Sequence, residues 1–197
     1  MNFSSRLNLA IQIAAKFHND YYRKGEEKIP YISHPFSVMY IASQFTNDED
    51  ILIACLLHDV LEDVKVLMSE KENFIKKTFG EKVLQIIKEV SEDKDPEMES
   101  NDKETWKIRK EKYLKHLENA SLEATTVSLC DKIHNLKTIL DEIATNNSIW
   151  DKFNSSKEDQ LWFYEKFYKI ISTKSDKILS NPLNIYSELF IRLQKIV

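Results

Sequence analysis

Apolar residues recur at the spacing of one helix face along nearly the whole chain. Leu7, Ala10, Ile11, Ala14, Ala15 and His18 follow the i, i+3, i+4, i+7 rule and predict a first helix from Phe3 to Asp20. A polar connector, Tyr21 to Ile32, comes next. Pro35, favourable in a first turn, opens a second helix that runs through Val38, Ile41 and Ala42 to Phe45. Asn47-Asp48 supplies the cap of a third helix, Glu49 to Asp63. That helix is apolar on almost every side from Ile51 to Leu57, which predicts the buried centre of the fold. Amphipathic stretches at Val66–Phe79 and Glu81–Val90, divided by Gly80, predict two more.

Residues Glu92 to Lys112 are the one shift in composition, with 14 of 21 charged. This reads as an exposed loop, Ser91–Asn101, running into a solvated helix, Glu104–Leu117, within one domain. A long helix is predicted from Leu122 to Ala144. Two more follow at Lys157–Thr173 and, after Asn181-Pro182, at Leu183–Ile196. The expectation is an all-α protein, a single domain over 1–197 of roughly eight to ten helices.

Composition narrows the chemistry. Two glycines, Gly25 and Gly80, cannot build a glycine-rich phosphate loop, so P-loop and dinucleotide-fingerprint chemistry are excluded. A formal charge of −4 argues against a protein that neutralises phosphate backbones, and nucleic acid is not an expected partner. Cys55 and Cys130 sit in separate apolar runs and form no CxxC, which excludes a disulfide scaffold and points to a reducing, cytoplasmic setting. The apolar run Ile51–Leu57 is far too short for a membrane span. The first helix is broken by Asn8 and Gln12 and lacks a cleavage site, so a signal peptide is not expected either. The oligomeric state is not legible.

Candidate chemistry gathers at His58-Asp59-Val60-Leu61-Glu62-Asp63. On a helix, His58 and Glu62 are i, i+4 neighbours, as are Asp59 and Asp63, so four ionisable groups form one stripe at the end of the most apolar helix. Burying adjacent carboxylates costs several kcal/mol each unless a cation compensates, by roughly the penalty for a buried ion. Imidazole beside carboxylate suits Mn, Fe or Zn. Taken alone, the dipeptide is better explained by a helix end fraying into water with its acids solvated. Two further segments change that balance. His34 precedes Pro35 at a predicted helix start, and Asp131 lies among Cys130, Ile133 and Leu136, where a lone acid is badly placed. Asn135, one turn beyond, is suited to orient a ligand or a water. Two imidazoles and two carboxylates leave open positions for water and substrate, as a catalytic metal site requires.

His34, His58-Asp59 and Asp131 resemble the H…HD…D metal signature of the HD superfamily of phosphohydrolases. The resemblance extends in order through Arg23-Lys24-Gly25, Pro30-Tyr31-Ile-Ser-His34-Pro35, Leu56-Leu57-His58-Asp59-Val60-Leu61-Glu62-Asp63, Phe79-Gly80 and Asp131-Lys132-Ile133-His134-Asn135-Leu136 to the hydrolase domain of RelA/SpoT proteins. Ile149-Trp150-Asp-Lys-Phe153 and Leu161-Trp162-Phe-Tyr164 are similar to bacterial single-domain members. One departure is a slightly longer connector between Arg23-Lys24 and Pro30. The resemblance implies an HD fold and a stand-alone hydrolase of guanosine tetra- or pentaphosphate. It also implies one Mn²⁺, with Fe²⁺ or Zn²⁺ as alternatives, on His34, His58, Asp59 and Asp131. Glu62 and Asp63 would be the catalytic acidic pair, and Arg23, Lys24 and Asn135 would meet substrate.

Lys132 adjoins a ligand position and is a further candidate for phosphate, as are Lys107, Arg109 and Lys110, although a charged helix face is usually just solvated. Trp162, Tyr164 and Tyr168 could stack a base or simply fill a core. His18 and His134 read as packed histidines, His116 as a surface one, and Cys55 and Cys130 as small buried side chains. Two other readings remain at this level: a hydrolase of a different phosphorylated nucleotide or dinucleotide cofactor, and a helical nucleotide-binding or regulatory module without chemistry.

Overall fold

The computed structural model describes residues 4–23, 28–63, 68–92, 102–145, 147–174 and 176–197. The helices are α1 Ser5–Phe17, α2 Ser33–Ala42, α3 Glu49–Leu57, α4 Val60–Asp63, α5 Met68–Phe79, α6 Glu81–Val90, α7 Asp102–Glu118, α8 Leu122–Thr145, α9 Lys157–Ser172 and α10 Lys177–Ile196, with a 3₁₀ turn at Asn147–Lys152. Among the described residues the β-structure is one isolated antiparallel bridge, Tyr22 to Pro30. The protein is all-α. Its Cα atoms cluster into two compact units: Met1–Ser91 with Ala120–Asp131, and Glu92–Asn119 with Lys132–Val197.

The first unit is built around α3. Every residue from Ile51 to Leu57 is buried, and the helix packs against α1, α2 and α6. Burying one Leu or Ile side chain contributes about 1.5–3 kcal/mol, so this seven-residue run anchors the unit. Asp48 caps α3 by accepting from the Asp50 N–H at 2.9 Å. Arg6 of α1 straps the same end, donating to Glu49, to Asp50 at 2.7 Å and to the Phe79 carbonyl at 2.7 Å. Gly80, at φ 93, separates α5 from α6 in a backbone region that L side chains avoid. Beyond it, Val83, Leu84, Ile86, Ile87 and Val90 present the apolar face of α6.

The predicted third helix does not run unbroken to Asp63. It stops at Leu57, and His58 and Asp59 form a turn before α4. His58 keeps right-handed helical backbone angles, φ −58 and ψ −36, at the end of α3, and its side chain meets that of Asp59, as described below.

The second unit has an aromatic core. Phe163, Tyr164 and Phe167 of α9 pack with Tyr113 of α7 and Tyr186 and Phe190 of α10, and all are buried. The Tyr186 hydroxyl donates to the Tyr164 carbonyl at 2.7 Å, which keeps that buried oxygen satisfied. Here too a boundary shifts. The final helix begins at Lys177, capped by Asp176, and carries Pro182 inside it instead of starting after it. Pro182 forgoes one backbone hydrogen bond, and burial of Leu179, Tyr186, Leu189, Phe190 and Leu193 on the same helix compensates. The loop expected before α7 falls on residues 93–101, outside the described set.

Candidate metal centre

Each donor is placed by local structure. His34 is the second residue of α2, where its N–H donates to the Tyr31 carbonyl at 2.9 Å and its ring is buried. His58 caps the end of α3, and its Nδ1 lies 2.9 Å from the Cys55 carbonyl oxygen. A carbonyl can only accept, so Nδ1 carries the proton and Nε2 presents its lone pair. Asp59 follows in the turn, its Oδ2 accepting from the Tyr31 hydroxyl at 2.8 Å. Asp131 projects from α8, buried at 7 % exposure.

These side chains converge. His34 Nε2 lies 3.1 Å from Asp131 Oδ1 and 3.6 Å from Asp59 Oδ2. His58 Nε2 lies 3.1 Å from Asp59 Oδ1 and 3.9 Å from Asp131 Oδ1. Ligand atoms of His34, His58 and Asp59 all fall within 4.8 Å of one another. Donors bonded at about 2.0–2.2 Å to one ion sit roughly 3 Å apart when adjacent, so the observed spacings suit one cation.

Protonation states agree. Burial lowers the His34 imidazole below its ordinary value, outweighing the pull of Asp131 and Asp59, so the ring is neutral and able to ligate at neutral pH. For Asp59, burial pushes upward, but the imidazoles of His58 and His34 and the Tyr31 hydroxyl outweigh it and keep the carboxyl below its usual range. A set of two imidazoles and two carboxylates is the chemistry of a divalent first-row metal.

Other sequence-derived residues fall in different places. Arg23 is pinned by its N–H to the Ile29 carbonyl at 2.9 Å, and its guanidinium lies 5.7 Å from the Tyr31 ring centre. Glu62 is half-buried in α4, its N–H bonded to the Asp59 carbonyl at 3.2 Å, one turn from the donors. Lys24 and the side chain of Asp63 lie outside the described residues. Lys132 and Asn135 belong to the second unit's part of α8, where the Lys132 ammonium lies 5.2 Å from the Tyr113 ring and 5.8 Å from the Phe163 ring.

Several lesser expectations sort out. His18 is a packed histidine, its ring 5.0 Å from that of Tyr31. His134 is half-buried, not core. Arg109 and Lys110 are not a solvated face, because both engage the carboxylate of Glu92. Tyr164 and Tyr168 pack against Tyr186 in the second unit's core. Cys55 and Cys130 are free and fully buried, and burial followed by nearby negative charge raises both thiols, that of Cys130 to about 12.

A profile of the HD domain matches residues 10–152, a span that contains all four donors. The chain belongs to the HD domain family. Its HD pair is His58-Asp59, and an HD hydrolase domain implies a divalent metal, which the convergent donor set fits. The chain is 37% identical to the guanosine-3′,5′-bis(diphosphate) 3′-pyrophosphohydrolase MESH1 of Xenopus tropicalis, over 66% of this chain and 67% of that one. It is 36% identical to the guanosine-3′,5′-bis(diphosphate) 3′-pyrophosphohydrolase of Borreliella burgdorferi, over 66% of this chain but 18% of that longer protein. A solved structure of a metazoan ortholog of SpoT that hydrolyzes ppGpp superposes with a TM-score of 0.73 at 25% identity, covering 100% of this chain and 99% of that one.

Sequence reasoning quoted Tyr31 inside a motif but assigned it no role. Its neighbourhood of His18, Arg23, His34 and Asp59 comes from three different stretches of chain, and only the folded arrangement exposes it.

Proposed function

We propose that this HD protein hydrolyses the 3′-diphosphate of guanosine tetra- or pentaphosphate, giving pyrophosphate and GDP or GTP. The observation that carries the reading is the convergence of His34, His58, Asp59 and Asp131, with Glu62 one turn away, in a chain similar to enzymes named for that reaction. His34, His58, Asp59 and Asp131 hold a divalent ion, which we assign as Mn²⁺. When bound, that ion makes water more acidic and offsets negative charge on the attacked phosphoryl group.

The remaining work belongs to side chains. Glu62 accepts the proton of the attacking water, and Asp63 assists or returns a proton to the departing 3′ oxygen. One phosphorus–oxygen bond forms to the water oxygen while the bond to the 3′ oxygen breaks. Arg23 offers a planar fork to phosphate or base, with Lys24, Lys132 and Asn135 as additional substrate contacts. The substrate is a small nucleotide, not a nucleic acid. Among the described residues no helix is long and apolar enough to cross a membrane, and free buried thiols suit a cytoplasmic location. The chain functions as one hydrolase domain over 1–197, a reading supported by the extent of the structural superposition.

The test is direct. Purified protein with ppGpp and Mn²⁺ is expected to yield GDP and pyrophosphate, resolved by ion-exchange chromatography. Absence of turnover, with the metal shown bound by elemental analysis, rejects this substrate. A panel of other nucleotides run in parallel identifies a different one, and elemental analysis of protein purified without added ions identifies the native metal.

A further inference from the structure

We propose that Tyr31 is a positioning residue of the metal centre, holding the Asp59 carboxylate in its ligating orientation; this rests on the assignment of Asp59 as a ligand. The Tyr31 hydroxyl donates to Asp59 Oδ2 at 2.8 Å, while Asp59 Oδ1 is the oxygen 3.1 Å from His58 Nε2. Tying one carboxylate oxygen removes the rotation that would turn the other away. Through its backbone the same residue reaches a second donor, because the Tyr31 carbonyl accepts from the His34 N–H at 2.9 Å. Tyr31 therefore joins the start of α2 to the turn after α3.

A positioning group is useful only if it is itself held, and Tyr31 is held on several sides. Its N–H donates to the Tyr21 carbonyl at 2.8 Å, beside the Tyr22–Pro30 bridge. The His18 ring packs 5.0 Å from the Tyr31 ring at an interplanar angle of 35°. The Arg23 guanidinium lies 5.7 Å from the ring centre. A phenol on a clamped ring is a stiff donor with few rotatable bonds, and it delivers its proton across the gap between connector and turn. The connector between α1 and α2 thus acts on the ion through Tyr31 and Asp59.

Hydrogen-bond partners of metal ligands typically contribute 10- to 100-fold in metal affinity. Tyr31→Phe keeps the ring on His18 and Arg23 and deletes only the donor. It is expected to weaken Mn²⁺ binding by about 10- to 100-fold, measured by competition with a chromophoric chelator. The melting temperature of the metal-free protein should stay unchanged, and turnover should recover as Mn²⁺ is raised. Tyr31→Leu, which also removes the ring, is expected to lower both affinity and metal-free stability. Unaltered Mn²⁺ affinity in Tyr31→Phe overturns the proposal, as does a loss of affinity that merely tracks a destabilised metal-free fold. If the wild-type protein binds no divalent cation, the ligand assignment itself fails; if it binds Mn²⁺ but does not turn over ppGpp, only the substrate reading fails.

Discussion

His34 Nε2 and Asp131 Oδ1 stand 3.1 Å apart, joining the first turn of α2 to the middle of α8. Both side chains are buried, at 3 % and 10 % exposure, so little bulk water reaches either. Burial lowers the pKa of the His34 ring and favours its neutral form, and a neutral imidazole beside a carboxylate is a pairing able to ligate a cation, as proposed above.

Asp131→Ala removes a proposed ligand, not merely the hydrogen-bond partner of one. Metal content after gel filtration should fall towards zero. Mn²⁺-dependent turnover should drop by more than the roughly 100-fold that losing an outer partner costs. Elemental analysis alongside the ppGpp assay checks both, and full metal content in the variant would remove Asp131 from the site.

Glu62→Gln separates chemistry from binding. Glu62 follows the HD pair in α4, its N–H bonded to the Asp59 carbonyl at 3.2 Å, and is not among the proposed ligands, so the variant should retain its metal. Loss of a general base lowers kcat by about 10²- to 10⁴-fold. A stopped-time assay at saturating substrate is the measurement, and a change confined to KM would reassign Glu62 to substrate binding.

Glu92 sets a pH dependence of stability in the second unit. Burial pushes its carboxyl upward, but Lys110, then Lys132 and Arg109, outweigh this and hold it below the ordinary 4.5. A carboxylate depressed on folding contributes stability above its unfolded pKa and loses it as pH falls through the lower folded value. Wild-type melting temperature should therefore drop as the buffer passes below pH 4.5, an effect blunted in Glu92→Gln. At neutral pH that variant should lose about 3 kcal/mol, the usual cost of breaking a buried ion pair. Parallel melting curves in the two proteins would expose the idea as wrong.

Cys55 and Cys130 should be chemically silent in the folded protein. Both are buried, and a thiol raised to about 12, as Cys130 is, carries almost no thiolate at neutral pH. Iodoacetamide is expected to label neither until denaturant is added, after which mass spectrometry should find both modified. Rapid native labelling of either would contradict their packing.

Much of the helical framework was legible because burial imposes a period. The face of α6 from Val83 to Val90 and the break at Gly80 follow from spacing and from one glycine's backbone freedom. The seven-residue apolar run of α3 announced the centre of the first unit. Its interruption at His58-Asp59 was not legible, since periodicity extends a helix through any residues of adequate propensity. Pro182 misled for a related reason: local preference forbids what packing of Tyr186 and Leu193 permits.

By itself the chain determined the all-helical class, the buried helices and the residue types suited to metal chemistry, because these depend on composition and on spacing along one strand of sequence. Tertiary structure alone decided that His34, His58, Asp59 and Asp131 share one point in space and that Tyr31 grips Asp59. Convergence is a through-space property: a few ångströms separate productive donors from a scattered set of polar residues, and no local period encodes that distance.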